Sequence, residues 1–439
     1  MTNKRMINQL FTNKEVKNAS WMICGRIVQM VLSLFVSVIT TRYLGPSNYG
    51  LINYGTAYVS FFTSFCTLGI NSIIIKDFSD FPDQQGVAIG TSILLRIAAS
   101  ILSVITLSTI VMIVDKGEPL TIIVVILCSL SLVFHVFDTV NYWFQSQYRS
   151  KITTIATLIG YIITSGYKII LLIIGKNVKW FAVATSIDYI VIAVLVLFAY
   201  KHYNGPMLSF SIKKARNLLG KSYHYILSSM IGAIYLQTDK FMLKQMLNAE
   251  EVGFYSTATT VCTLWVFVLQ AIIDSMYPTI VKLANTDQSG FLKKNKQLYA
   301  IVFYTSCFVS ACFVLLGDFV IKTLYGDVFA PAVAPLKIAT WYTAFSYLGV
   351  ARNAWIVSTN NQKYLKYMYF GAAIINVCLN YVLIPLWGAS GAALASLITQ
   401  LFTSIVLPMC FKGMRPNVKL MIDAILLKGV MPGNNGEVK

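Results

Sequence analysis

Apolar runs of about 20 residues recur along the whole 439-residue chain, and each is long enough to cross a hydrocarbon core of roughly 30 Å as a helix. Twelve can be read, at approximately 18–42, 50–75, 88–114, 119–144, 152–175, 178–200, 223–246, 251–281, 297–317, 333–358, 364–386 and 390–411. Backbone in hydrocarbon must satisfy its own hydrogen bonds, and continuous apolar runs of this length do so as helices. With 56% of residues hydrophobic, only 12% charged and a mean hydropathy of +0.67, a soluble globular chain is excluded. The expected class is an all-α integral membrane protein with about 12 transmembrane helices.

The formal charge of +18 would suggest a nucleic-acid partner in a soluble protein. Its distribution gives another answer. With the N-terminus placed inside, 23 of the 35 Lys and Arg fall on the cytoplasmic side and six (Arg42, Lys116, Lys176, Lys179, Lys244 and Lys322) on the other. That bias follows the positive-inside rule, so both termini are expected to be cytoplasmic and no nucleic-acid partner is implied. The first span follows about seventeen mostly polar residues and has no small-residue cleavage site after it, so it is expected to be retained.

Cys24, Cys66, Cys128, Cys262, Cys307, Cys312, Cys378 and Cys410 all lie in apolar spans, without a C-x-x-C pair or a His at ligand spacing. They read as small packing residues, and neither a metal site nor a cofactor is expected. There is no P-loop motif, and His135, His202 and His224 are scattered. The longest outer loop, near 318–331, is too short for the catalytic loop expected of a membrane polysaccharide polymerase. The chain is therefore read as a non-enzyme.

Two halves share one construction. Leu247-Asn248-Ala249-Glu250-Glu251-Val252-Gly253 follows span seven as Leu44-Gly45-Pro46-Ser47-Asn48-Tyr49-Gly50 follows span one, at an offset of 203 residues. Ala182–Ile187 and Ala393–Ile398 correspond at an offset of 211. A parallel six-plus-six repeat is expected, with a lobe at 1–200, a cytoplasmic interfacial linker helix at 201–222, a second lobe at 223–411 and a cytoplasmic tail at 412–439. Gly45 and Pro46 should end one helix. Pro278 should kink span eight, and the small residues of 388–393 should let spans eleven and twelve approach closely.

Charges inside spans need a partner, an aqueous cavity or a route to the interface. The bases there are Arg26, Arg96, Lys168, Lys240, Lys337 and Arg352, and the acids are Asp138, Asp188, Asp239 and Asp274. Arg26, Lys168 and Lys337 either line a cavity or snorkel toward the interface. Arg96 and Arg352 are read as cavity residues. Asp239 and Lys240, as sequence neighbours, project about 100° apart on a helix, so one should face the cavity while the other pairs with a neighbouring span. Asn376 and Asn380 sit one turn apart on span eleven.

Arg42–Gly50, Thr67–Ile70, Thr238–Leu243, Val252–Ala258 and Gly388–Ala393, in this order, resemble the polysaccharide biosynthesis flippases of the multidrug/oligosaccharidyl-lipid/polysaccharide exporter superfamily. The resemblance implies a MATE-like fold of two six-helix lobes around a central cavity. It implies transfer of an undecaprenyl-diphosphate-linked oligosaccharide from the cytoplasmic to the outer leaflet of a bacterial inner membrane, for O-antigen or capsular polysaccharide. Implied partners are that lipid-linked substrate, membrane lipids, a coupling H+ or Na+, and a polymerase with other export proteins. Within that reading Arg26, Arg96, Arg352 and Lys240 would bind the diphosphate, Arg being well shaped for phosphate oxygens. Asp239, Asp138 and Asp274 would be counter-ions or sites for the coupling ion. A multidrug cation antiporter of the same fold is the alternative; six bases against four acids in the spans favour an anionic substrate.

Overall fold

The computed structural model describes residues 14–428, without the side chains of residues 14–20, 22–24, 26, 27, 72 and 228. All regular structure among the described residues is helical. In chain order the main helices are α1 (Lys14–Cys66), α2 (Asn71–Asp80), α3 (Gln85–Val114), α4 (Pro119–Ser129), α5 (Ser131–Phe134), α6 (Asp138–Ser146), α7 (Ser150–Ile174) and α8 (Val178–His202). They continue with α9 (Ile212–Met246), α10 (Ala249–Thr263), α11 (Val266–Thr286), α12 (Gln288–Tyr325), α13 (Val333–Ser358), α14 (Leu365–Leu401), α15 (Leu407–Met409) and α16 (Arg415–Ile425). Among the described residues eight helical stretches are long and apolar enough to cross a membrane, and residues such as Ile173, Leu315 and Phe308 present their apolar side chains outward.

Two of these stretches are each broken by one glycine. Gly45 stands at φ 71°, ψ 172° inside α1 and Gly388 at φ 55°, ψ −131° inside α14, conformations that side-chain-bearing residues rarely adopt. With each broken helix taken as two rods, and 119–146 and 249–286 as one pass each, six helical passes precede His202 and six follow Ile212. The chain divides into two compact units, Met1–Ala233 and Ile234–Lys439.

In the first unit Ile70, Ile74, Phe78, Ile89, Phe144 and Val196 form a buried core. The segment expected as an interfacial helix at 201–222 is built differently. Residues 203–211 are non-helical and lie against the start of α3, where Ser209 N donates to Gly86 O at 3.3 Å and Ser211 N to Thr91 Oγ1 at 3.1 Å. The absence of side chains at Gly86 and Gly90 permits this approach. A Cβ there would come 2.1 Å from Met207 O and 2.4 Å from Ser209 O respectively. Lys214 then pairs with Asp77 at 2.7 Å, and α9 runs unbroken from Ile212 to Met246. Helical periodicity in 208–221 thus marks the entry to the seventh pass, not a separate element.

In the second unit Leu269, Phe291, Leu298, Tyr299 and Trp355 form the core. The eighth pass is interrupted at Leu264–Trp265, and α11 continues through Pro278. The stretch read as a tail contains α16, whose Met421 and Ala424 are buried in this core and whose Val418 is buried on the same helix. Their spacing gives the helix one apolar face, and Asn417 Nδ2 donates to Tyr299 OH at 2.6 Å. Only the part of the tail beyond 428, with residues 1–13, lies outside the described residues.

A side chain at residue 90 must displace backbone at Ser209, an overpacking cost of about 1–3 kcal/mol. Gly90→Leu is expected to lower the thermal midpoint of the detergent-solubilised protein, whereas Gly166→Leu, which meets open space, should leave it near wild type.

Candidate functional site

The one carboxylate of the Asp239-Lys240 pair is enclosed by three other helical segments of the second unit. Asp239 on α9 is 5% exposed. Its Oδ1 accepts from Asn380 Nδ2 at 2.7 Å and Asn376 Nδ2 at 3.1 Å, both on the first rod of α14. Its Oδ2 accepts from Ser396 Oγ at 2.6 Å, on the second rod of α14, and from the Tyr255 hydroxyl on α10. Asn376 and Asn380 are one turn apart and therefore share a helix face. A buried carboxylate requires this kind of compensation, since each hydrogen bond to a charged group contributes about 1.5–3 kcal/mol.

Two local features bring these segments together. The break at Gly388 lets α14 double back, and its second rod comes so close that a Cβ on Gly391 would sit 2.1 Å from Leu383 O. The start of α10 is fixed by Asn248, whose side chain accepts from Glu251 N at 3.0 Å, while Glu251 Oε2 accepts from Ala389 N at 2.6 Å. Glu251 thereby ties the α9–α10 turn to the α14 break.

A cavity of about 220 Å³ opens beside the cluster, lined by Tyr235, Asp239, Lys240, Tyr255, Tyr342 and Ser396 among others. Lys240 has no ion-pair partner among the described residues. Gln400 Nε2 donates to Tyr235 OH at 2.8 Å and to Tyr342 OH at 3.4 Å, which fixes two of the lining rings.

The arginines are placed otherwise. Arg96, 1% exposed, donates from Nη1 to Thr139 Oγ1 at 2.8 Å and from Nη2 to His135 O at 2.9 Å. Arg352, 5% exposed, reaches Ser404 O at 3.3 Å and Thr403 O at 3.5 Å. Each therefore binds backbone carbonyls at an irregular turn, the 3₁₀ turn His135–Phe137 in one case and the π-turn Phe402–Val406 in the other. Such turns release carbonyls from the regular ladder, and a buried guanidinium takes them up. Asp138 lies near that first turn, with its Oδ2 3.3 Å from His135 Nδ1 and its Oδ1 accepting from Asn141 Nδ2 at 3.1 Å. Asp274 is exposed and accepts from Gln270 Nε2 at 2.8 Å. The side chain of Arg26 lies outside the described residues.

Asp239 and Lys240 share a cavity in the second unit, Arg352 belongs to a different part of that unit, and Arg96 and Asp138 belong to the first. Tyr255 and Ser396 were not singled out by sequence reasoning, although Tyr255 lies in a stretch that carries the family resemblance and Ser396 in one that carries the internal repeat. Among the described residues no group of three or more His, Cys, Asp or Glu is arranged to hold a metal ion. The oxygen atoms around Asp239 are another matter. Asn380 Oδ1 is buried without a hydrogen bond, and turning either amide over would exchange its Nδ2 for its Oδ1. Carboxylate, two amide oxygens and a hydroxyl form a donor set suited to a hard cation.

The model of the polysaccharide biosynthesis protein family matches residues 16–284, well over half of the chain. The chain belongs to that family. No curated protein matches it by sequence. Among solved structures, an inward-facing multidrug resistance MATE family transporter of the MOP superfamily aligns with a TM-score of 0.67 at 14% identity, covering 89% of this chain and 96% of that one. The lipid II flippase MurJ in an inward closed conformation aligns at 0.63 and 14% identity, over 95% and 94%. A MOP superfamily transporter from Pyrococcus furiosus, described as having a binding pocket of reversed polarity, aligns at 0.53 and 13% identity, over 92% and 94%. At such identities the likeness establishes the fold. This member of the polysaccharide biosynthesis family is a multi-pass, all-helical membrane protein with the two-lobed MATE-like architecture.

Replacing Asp239 with Asn puts an amide where donors already converge, so Asp239→Asn is expected to lower the thermal midpoint in detergent substantially. Ser396→Ala removes one donor of four and should cost less, about 1 kcal/mol.

Proposed function

We propose that the chain is a flippase that moves an undecaprenyl-diphosphate-linked oligosaccharide repeat unit from the cytoplasmic to the outer leaflet by alternating access, for O-antigen or capsular polysaccharide assembly. Membership of the polysaccharide biosynthesis family carries this reading. It implies a bacterial inner membrane with both termini cytoplasmic, in keeping with the Lys and Arg bias.

The Asp239 cluster is the ion-coupling site in this reading, and H+ or Na+ is the coupling ion. Lys240, beside it on the same cavity, is the cation that attracts the diphosphate. The two roles are linked by charge. An ion held at Asp239 cancels the carboxylate and leaves the ammonium uncompensated, which favours an anionic substrate; the coupling is reciprocal by thermodynamic necessity. Arg96 and Arg352 serve this reading as fixed buried charges, each held through Nη on backbone carbonyls and, for Arg96, also on Thr139 Oγ1. The exposed Asp274 has no part in it.

Loss of the protein is expected to cause lipid-linked oligosaccharide to accumulate on the cytoplasmic side. Complementation with Lys240→Met or Asp239→Asn at matched protein levels should restore less than about a tenth of wild-type export, a difference of about 1.4 kcal/mol or more. Wild-type export from both variants would remove the charged-cavity reading, and sensitisation to cationic dyes without lipid accumulation would favour the multidrug antiporter. In purified protein, replacing choline by Na+ should raise the midpoint of the wild type and not that of Asp239→Asn if Na+ is the coupling ion.

A further inference from the structure

A second and larger cavity, about 600 Å³, lies wholly within the first unit and takes no part in the account above. At roughly 30 Å³ per water it has room for about twenty, within the range of small-molecule sites. It is lined by Lys168 on α7, Asp188 and Tyr189 on α8, Tyr161, and His135, together with a wall of Ser and Thr.

The chemistry of that wall is specific. Thr63 Oγ1 donates to Val59 O at 2.7 Å, Ser131 Oγ to Cys128 O at 2.7 Å, Thr185 Oγ1 to Ala182 O at 2.7 Å and Thr56 Oγ1 to Asn53 O at 3.0 Å. Each hydroxyl proton is committed to a backbone carbonyl three or four residues earlier, so what these residues offer a ligand is an acceptor lone pair. Asp188 adds a carboxylate beside the Thr164 hydroxyl, and neither its Oδ1 nor Thr164 Oγ1 makes a hydrogen bond of good geometry. Donation comes from the Lys168 ammonium and the Tyr hydroxyls. The His135 and Tyr189 rings pack at a 40° tilt with centroids 3.9 Å apart, and His135 is held in place through Asp138 Oδ2 at 3.3 Å and through its carbonyl on Arg96.

A diphosphate, which only accepts, would find one ammonium facing a carboxylate and many acceptor oxygens. A cationic ligand would meet Lys168. A polyol brings numerous donors and needs a few donors in return, against aromatic surface and near-balanced charge. We infer that this cavity is the subsite for the sugar rings of the transported lipid, with Asp188 and Lys168 as its principal polar contacts. The inference rests on the flippase reading.

The test uses the full-length protein in nanodiscs and two probes, lipid-linked oligosaccharide extracted from the host membrane and undecaprenyl diphosphate without sugar. Wild type is expected to bind the glycan-bearing lipid at least tenfold more tightly than the bare one. Asp188→Asn and Lys168→Met should abolish that preference and leave affinity for undecaprenyl diphosphate unchanged. Asp188→Asn keeps the shape of the side chain and Thr164→Val that of a second lining residue, so thermal midpoints close to wild type will certify folding; Thr164→Val should weaken only the glycan-bearing probe. Variants that retain the full glycan preference would overturn the subsite while leaving the flippase reading intact. Binding of neither probe by wild-type protein would overturn both.

Discussion

A charge removed from water inside a helical bundle must be matched by groups that do not move, and this requirement shapes both units. Asp239 is matched by four donors from three helical segments, and Arg96 and Arg352 by carbonyls released at irregular turns. In each case the charge and the helix geometry depend on each other. Without Arg96 the His135 carbonyl, and without Arg352 the carbonyls of residues 403 and 404, would face the interior without these partners.

This has a consequence for how polar residues divide their work. Arg96 and Arg352, with fork-shaped donor groups, are engaged in holding backbone, while Lys240 lines a cavity in one unit and Lys168 lines one in the other. Under the proposed flippase reading, that division inverts the simplest expectation, in which arginine receives phosphate. The π-turn and the 3₁₀ turn explain the inversion, because each creates a local surplus of acceptors that a lysine point charge would serve less well.

Much of the architecture was legible in the letters. Run length set the helices, Gly45-Pro46 and Gly388 set the two sharp breaks, and the i, i+4 spacing of Asn376 and Asn380 marked a polar face. The 100° offset of Asp239 and Lys240 suggested that only one of them would face a cavity, whereas both line the same one. What stayed hidden was long-range or lacked a side-chain signature. Nothing in one sequence says that Tyr255 and Ser396 meet Asp239. The partners of Arg96 and Arg352 are largely backbone carbonyls, which every residue possesses. The segment at 203–211 is held by what Gly86 and Gly90 lack, and α16 was masked by its basic residues although its buried face has helical spacing.

The Glu251 clasp joins two positions far apart in the chain into one unit of sequence change. A side chain at residue 388 would need a left-handed backbone and would also strike the Glu251 carboxylate, with its Cβ 2.5 Å from Oε2. A shorter residue at 251 would relieve the collision but leave Ala389 N without its acceptor. Neither position can drift alone, so among diverging copies of this protein the pair would change together or not at all.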